Sequence, residues 1–176
     1  MEQVLFSEEV LQTKVRELGA EITADYADRH PVCIGVLKGS FVFMADLMRE
    51  MDFSCRIEFM AVSSYGNQSE TTGAVKITQD LDYDIEGRHV ILIEDILDSG
   101  LTLNYLISYL QVRNPASIKV CTLLDKPDRR RAPITADYIG FSIPDEFVVG
   151  YGLDFAQQYR NLPYIGILKP AVYETE

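Results

Sequence analysis

The stretch Val90-Ile91-Leu92-Ile93-Glu94-Asp95-Ile96-Leu97-Asp98-Ser99-Gly100-Leu101-Thr102 decides the fold. After Gly87, the run His89-Val90-Ile91-Leu92-Ile93 is apolar on both faces, the pattern of a strand buried inside a parallel sheet. Leu103, Leu106, Ile107 and Leu110 then recur at helical spacing, and Asn114-Pro115 stops the pattern. Strand, acidic turn and helix make a βα unit. Open α/β sheets bind ligands at the carboxyl ends of their strands, where Glu94, Asp95 and Asp98 fall. Ser-Gly-x-Thr at residues 99–102 is small enough for backbone N–H groups to converge on a phosphate at a helix amino terminus. Two adjacent carboxylates repel a polyanion unless they meet hydroxyl groups or magnesium. In isolation the three acids could equally cap the helix or stand in solvent. The chain contains neither a Gly-Lys-Ser/Thr phosphate loop nor a Gly-x-Gly-x-x-Gly fingerprint.

Towards the amino terminus, Ser7 followed by Glu8 and Glu9 predicts a helix start, and Leu11, Val15, Leu18 and Ile22 give that helix one apolar face. After His30-Pro31, Val32 to Leu37 reads as a second strand apolar on both faces, ending in the tight turn Lys38-Gly39-Ser40. Phe41 to Glu50 reads as a helix, and Arg56 to Ser63 and Val75 to Thr78 as strands. Between those strands, Ser64 to Gly73 is polar and aperiodic, as functional lids often are. Ile118 to Leu124 supplies the next buried strand, and Tyr138 to Phe141, Phe147 to Gly150 and Tyr164 to Leu168 are short and β-like. The alternation predicts one α/β domain with a central, mostly parallel twisted sheet flanked by helices.

Sixteen Lys and Arg against 27 Asp and Glu leave a net charge of −11, a field that repels nucleic acids and anionic membranes. Any polyanionic ligand must therefore be met locally. No apolar run approaches the roughly 20 residues that span a bilayer. The amino terminus lacks the basic leader and apolar core of a signal peptide, so cytoplasmic residence is expected. Cys33, Cys55 and Cys121 are odd in number and widely spaced, which predicts reduced thiols and neither disulfides nor zinc. His30 and His89 read as structural, and Arg129-Arg130-Arg131 as a solvated or subunit-contact run.

Taken whole, four apolar residues, Glu-Asp, two apolar residues and Asp-Ser-Gly-x-Thr resemble the phosphoribosyl pyrophosphate signature of type I phosphoribosyltransferases. From about Ser7 to Leu168 the chain resembles the hypoxanthine-guanine branch of that family. Leu37-Lys38-Gly39-Ser40 is similar to the family's pyrophosphate loop, which has a cis peptide before the lysine. Ser64-Tyr65 is similar to the start of its mobile lid, and Asp125-Lys126-Pro127 to the segment whose lysine reads the purine 6-oxo group. Pro144 to Asp154 resembles the hood segment that holds the base, and Arg160 falls where a pyrophosphate-binding arginine stands.

The resemblance implies a purine salvage enzyme that moves the 5-phosphoribosyl group from phosphoribosyl pyrophosphate to hypoxanthine or guanine, giving IMP or GMP. It implies Asp98 as the acid–base group at purine N7, with Glu94 and Asp95 at the ribose hydroxyls and a magnesium ion. Ser99, Gly100, Leu101 and Thr102 receive the 5′-phosphate, although Leu101 stands where some relatives carry a cation. Lys38, Gly39 and Arg160 take pyrophosphate, and Ser64 and Tyr65 begin the lid. Lys126, Phe147 and Val148 hold the purine, and Asp154 is implied both at the purine and at a second magnesium. The implied organisation is a single domain over 1–176, with a core of about residues 30–131 and a hood from about 1–10 and 132–176. A homodimer or homotetramer is implied, with no nucleic acid or membrane partner. Two other readings stay open: a sibling that prefers xanthine, and a non-catalytic nucleotide-sensing regulator of the same fold.

Overall fold

The computed structural model describes residues 1–64 and 75–173. Its centre is a six-stranded sheet, in which β2 (Val32–Leu37), β3 (Arg56–Ser64), β5 (His89–Leu97), β6 (Ser117–Asp125) and β7 (Tyr138–Ser142) run parallel. The edge strand β4 (Val75–Gln79) pairs antiparallel with β3, giving the order β4-β3-β2-β5-β6-β7. Alternate residues of β2 and β5 feed two separate cores, as strands buried on both faces must. Cys33, Ile91 and Ile93 join one, and Val32, Ile34, Val36, Val90 and Leu92 the other. Helices α1 (Glu8–Tyr26) and α2 (Phe41–Glu50) cover the first face, and α3 (Leu101–Gln111) covers the second.

The start of α1 follows its sequence signal. Ser7 Oγ accepts the Val10 N–H at 3.3 Å, Glu8 and Glu9 sit in the first turn, and Leu11, Val15, Leu18 and Ile22 are buried. Chain connections leave the centre in opposite directions, from β2 through α2 to β3 and from β5 through α3 to β6. The carboxyl ends of β2 and β5 therefore flank a topological switch point, where the adjoining loops diverge and leave a crevice.

A second sheet of three antiparallel strands, in the order β1 (Gln3–Phe6), β9 (Ile165–Ile167), β8 (Val148–Val149), ties the two ends of the chain together as a hood. The expected core boundary near residue 131 is corrected here, because β7 is part of the main sheet. Its Tyr138 is buried and donates its hydroxyl to Asp25 on α1 at 2.5 Å, and its pairing covers what would otherwise be an open edge of β6. Cys33 and Cys121 are buried and Cys55 half-buried, all with free thiols.

Candidate active site

Strand β5 runs four residues past the apolar run that announces it. Glu94, Ile96 and Leu97 still pair with β6, opposite Thr122, Leu124 and Asp125, so Glu94 and Asp95 belong to the strand and the turn begins at Asp98. Glu94, Ile96 and Asp98 line one cleft, and the Glu94 and Asp95 carboxyls lie near enough to hydrogen-bond to each other. Gly35 lies opposite Ile93, so the loop after β2 arrives level with Asp95. The Leu37–Lys38 peptide is cis. Gly39 then passes so close that a Cβ there would collide with the Asp95 carboxylate, and a Cβ on Gly152 would collide with the Gly39 carbonyl. Carboxylate, pyrophosphate-type loop and hood segment are thus stacked at contact distance, and side chains larger than hydrogen are excluded at both glycines.

Asp95 is buried and Glu94 half-buried. Burial, then the neighbouring Asp95 charge, push the Glu94 carboxyl well above the usual carboxylate range. Burial also raises Asp95, against an opposing hydrogen bond from Glu94. Among the described residues neither carboxylate has an ion-pair partner. Two close, hard oxygen donors with no cation of their own fit a magnesium ion. Asp154 does not complete their cluster, since the described residues contain no group of three acidic, His or Cys side chains able to hold one ion.

Beside this pair, Glu94, Ile96, Asp98, Ser99, Gly100 and Thr102 line a cleft of about 90 Å³. Gly100, in a left-handed conformation, caps α3, so the first amides of the helix open towards that cleft. The Leu101 side chain packs on the second core, and its N–H reaches Ser99 Oγ at 3.4 Å. The turn is held from below by the segment after β6. Arg131 and Ala132 donate their N–H groups to the Ser99 carbonyl at 2.8 and 3.1 Å. Arg130 donates to the carbonyls of Asp98 and Ile134 at 3.1 and 2.7 Å and pairs with Asp125. The solvated or subunit-contact run expected of Arg129 to Arg131 does not describe Arg130, which is half-buried under the phosphate-type turn and bonded there to Asp125 and to the Asp98 and Ile134 carbonyls.

Asp98, Lys126, Phe147 and Val148 meet in one cavity of about 400 Å³ that shares Ile96 and Asp98 with the smaller cleft. The Lys126 N–H bonds the Leu97 carbonyl at 3.0 Å, which sets the lysine level with Asp98. Its buried ammonium donates to the Glu146 carbonyl at 2.6 Å. Phe147 is 37% exposed, a flat apolar surface opposite a strand that carries a carboxylate. Arg129 spans the opening, from Asp98 at 3.2 Å to Asp145 at 3.4 Å.

Lys38, Asp154 and Arg160 come together on the other side of the glycine stack. Arg160 pairs with Asp154 at 2.9 Å and donates to the Gly152 carbonyl at 2.7 Å, and its buried Nε has no partner among the described residues. Gln157 Oε1 accepts from both Lys38 and Arg160 at 3.3 Å. Asp154, expected at the purine, is instead engaged here by Arg160 and the Gln157 N–H, because the chain turns away after Gly150 and Gly152. Ser64 ends β3 on this same edge of the sheet, whereas Tyr65 lies outside the described residues. Ile96, Arg130 and Gln157 were not anticipated. Only Ile96 carried a signal, two residues before Asp98 in a strand.

A phosphate-sized cleft that shares one carboxylate with a larger cavity, itself walled by an exposed aromatic ring and a buried lysine, is the site of a transferase that links a phosphorylated sugar to a planar heterocycle. Residues 6–156 match the phosphoribosyl transferase domain, and the chain belongs to that family. The hypoxanthine-guanine phosphoribosyltransferase of Bacillus subtilis strain 168 is 59% identical over 175 residues, 99% of this chain and 97% of that protein. A bifunctional TilS/HprT protein of Listeria innocua is 56% identical over 173 residues, 98% of this chain but 27% of the Listeria protein. A crystal structure of a hypoxanthine phosphoribosyltransferase from Staphylococcus aureus, 53% identical, superposes with a TM-score of 0.94 over 97% of this chain and 93% of that one.

Proposed function

We propose that the chain transfers the 5-phosphoribosyl group of phosphoribosyl pyrophosphate to hypoxanthine or guanine, giving IMP or GMP and pyrophosphate in purine salvage. The observation that carries this reading is the position of Asp98 and Lys126 on one cavity, with Asp98 also lining the phosphate-sized cleft. A purine ring nitrogen bonds to C1′ as the bond from C1′ to pyrophosphate breaks, and positive charge develops on the ribose. Asp98, at the junction of the two cavities, takes the N7 proton, general base help typically worth about 10² to 10⁴ in rate. Glu94 and Asp95 orient the ribose hydroxyls and would hold magnesium, with Asp154 serving a second ion. The chemistry magnesium supplies when bound is neutralisation of charge on the leaving pyrophosphate. The amides and hydroxyls of residues 99–102 receive the 5′-phosphate, and Lys38, Gly39 and Arg160 receive pyrophosphate. Supporting the last assignment, the buried Arg160 Nε has no partner among the described residues.

Phe147 stacks on the purine and the backbone at Val148 reads its edge. Lys126 exchanges its bond to the Glu146 carbonyl for the 6-oxo group. Adenine presents an amine to that buried donor, a mismatch that can reject an analogue by roughly 10⁴. We further propose that the enzyme is cytoplasmic and works as a homodimer or homotetramer. Phe41, Ala45 and Met48 make an exposed apolar stripe along α2 that fits burial against a second copy.

The test is a spectrophotometric assay with phosphoribosyl pyrophosphate and each of hypoxanthine, guanine, xanthine and adenine, with and without EDTA. Turnover of hypoxanthine and guanine, silence with adenine and loss of activity in EDTA are expected. Phosphoribosyl pyrophosphate binding without turnover of any base would leave a nucleotide sensor in place of an enzyme, and a preference for xanthine would make it the sibling activity.

A further inference from the structure

The chain after β9 folds back over the base cavity. The Leu168 N–H bonds the Phe147 carbonyl at 2.8 Å, and the Val172 N–H bonds the Lys169 carbonyl at 2.9 Å. The helical turn α4 (Pro170–Tyr173) then brings Tyr173 to the wall of the cavity that Phe147 lines. The two rings stack with centroids 4.8 Å apart and planes 21° apart. Phe155 meets Phe147 edge-on, at 5.7 Å and 85°. A phenylalanine just before a two-residue strand has few neighbours of its own to fix its ring. One stacked and one edge-on aromatic supply that restraint and leave part of the ring open to the cavity.

We propose that Tyr173 is a positioning residue for base binding: its ring sets the plane on which Phe147 receives the purine, so the carboxyl-terminal turn is part of the base site. The inference rests on the reading of Phe147 as the stacking residue. Aromatic surface carries the effect. Tyr173 contacts Phe147 and lies outside the phosphate-sized cleft, so its influence falls on the base and not on phosphoribosyl pyrophosphate.

Steady-state kinetics of Tyr173→Ala, Tyr173→Phe, Phe147→Ala and the double variant test this. Tyr173→Ala should raise the KM for hypoxanthine roughly 3- to 10-fold, the size expected for losing one aromatic pair, and leave the KM for phosphoribosyl pyrophosphate and the thermal midpoint nearly unchanged. Tyr173→Phe should restore the parent values. In the Phe147→Ala background, Tyr173→Ala should add nothing further. An unchanged or lowered hypoxanthine KM in Tyr173→Ala overturns the inference, the latter because the ring would then be obstructing the cavity. Equal rises in both KM values, or additive losses in the double variant, overturn it as well. If Phe147→Ala itself leaves hypoxanthine binding intact, the stacking role of Phe147 fails instead, and the two failures are told apart.

Discussion

Asp98 is held by two arginines in different ways. Arg129 Nε donates to its carboxylate at 3.2 Å, and Arg130 Nε to its backbone carbonyl at 3.1 Å. The carboxylate and its partner are each nearly half exposed, so the pair contributes little to stability. The backbone contact, from a half-buried arginine, is what fixes the turn. Asp98→Asn keeps that contact and the shape of the side chain but removes the proposed proton acceptor. Turnover should fall by about 10² to 10⁴, with the thermal midpoint and the calorimetric affinity for phosphoribosyl pyrophosphate retained; a variant with near-parent kcat would remove Asp98 from the proton transfer. Asp98 was legible in sequence because a strand, an acidic turn and small residues at a helix start form one local pattern. Gln157 was not. It reaches Lys38 and Arg160 through a loop in which Ala156, Gln157 and Tyr159 hold φ values of 49°, 63° and 75°, a left-handed path that non-glycine residues do not announce. Arg130 was hidden for another reason: its burial depends on Asp125, which only the folded turn brings near.

At the scale of elements, β2 and β5 were the easiest to read, since apolar residues on both faces leave no alternative to a covered parallel sheet. The same logic misplaced the end of β5. Carboxylates read as turn residues, yet the ladder to β6 continues through Glu94 to Leu97. Local preference is overridden there by the pairing with β6, which carries the strand past both carboxylates. The hood boundary was missed because β7 is short and only its pairing shows which sheet it joins. Hood and core are joined at Asp46 of α2, whose Oδ2 accepts the Tyr151 hydroxyl at 2.5 Å and the Gln12 amide of α1 at 2.9 Å. Burial, then this bond, raise the Tyr151 pKa and keep the phenol protonated. Tyr151 lies between Gly150 and Gly152, so the bond fixes the segment that presses on Gly39. Tyr151→Phe keeps the ring and loses only the donor. Hydrogen bonds to charged groups are worth about 1.5–3 kcal/mol, and urea denaturation should show a loss of that order with the m-value unchanged. A variant as stable as the parent would mean that the glycine stack holds the hood without this tie.

For the whole molecule, the −11 charge and the desolvated Glu94–Asp95 pair set how stability depends on pH. Glu94 has a folded-state pKa raised above its unfolded value, first by burial and then by Asp95. Its contribution to stability is therefore fully present below the unfolded pKa and is lost as pH rises through the raised folded pKa. Asp25 and Asp80 behave in the opposite sense. The Tyr138 hydroxyl lowers Asp25, and the Tyr109 hydroxyl and Arg113 outweigh burial at Asp80, so their support is present above the unfolded carboxylate pKa and fades in acid. Glu94→Gln leaves those two groups untouched and removes the alkaline penalty of the Glu94 carboxyl. The ligand-free variant should match the parent near about pH 4 and melt higher near about pH 8, by about 2–4 °C for each kcal/mol relieved in a chain of this size. Magnesium with phosphoribosyl pyrophosphate should reverse the order at about pH 8, because a ligand that binds only the folded state stabilises the parent in proportion to its affinity, and the variant lacks a carboxylate proposed to receive it. Paired melting curves at the two pH values, with and without ligand, decide the matter. A ligand-free variant that melts below the parent at the higher pH would show that the Glu94 carboxyl supports the folded protein there, and the carboxylate pair would then not be held at a cost to stability.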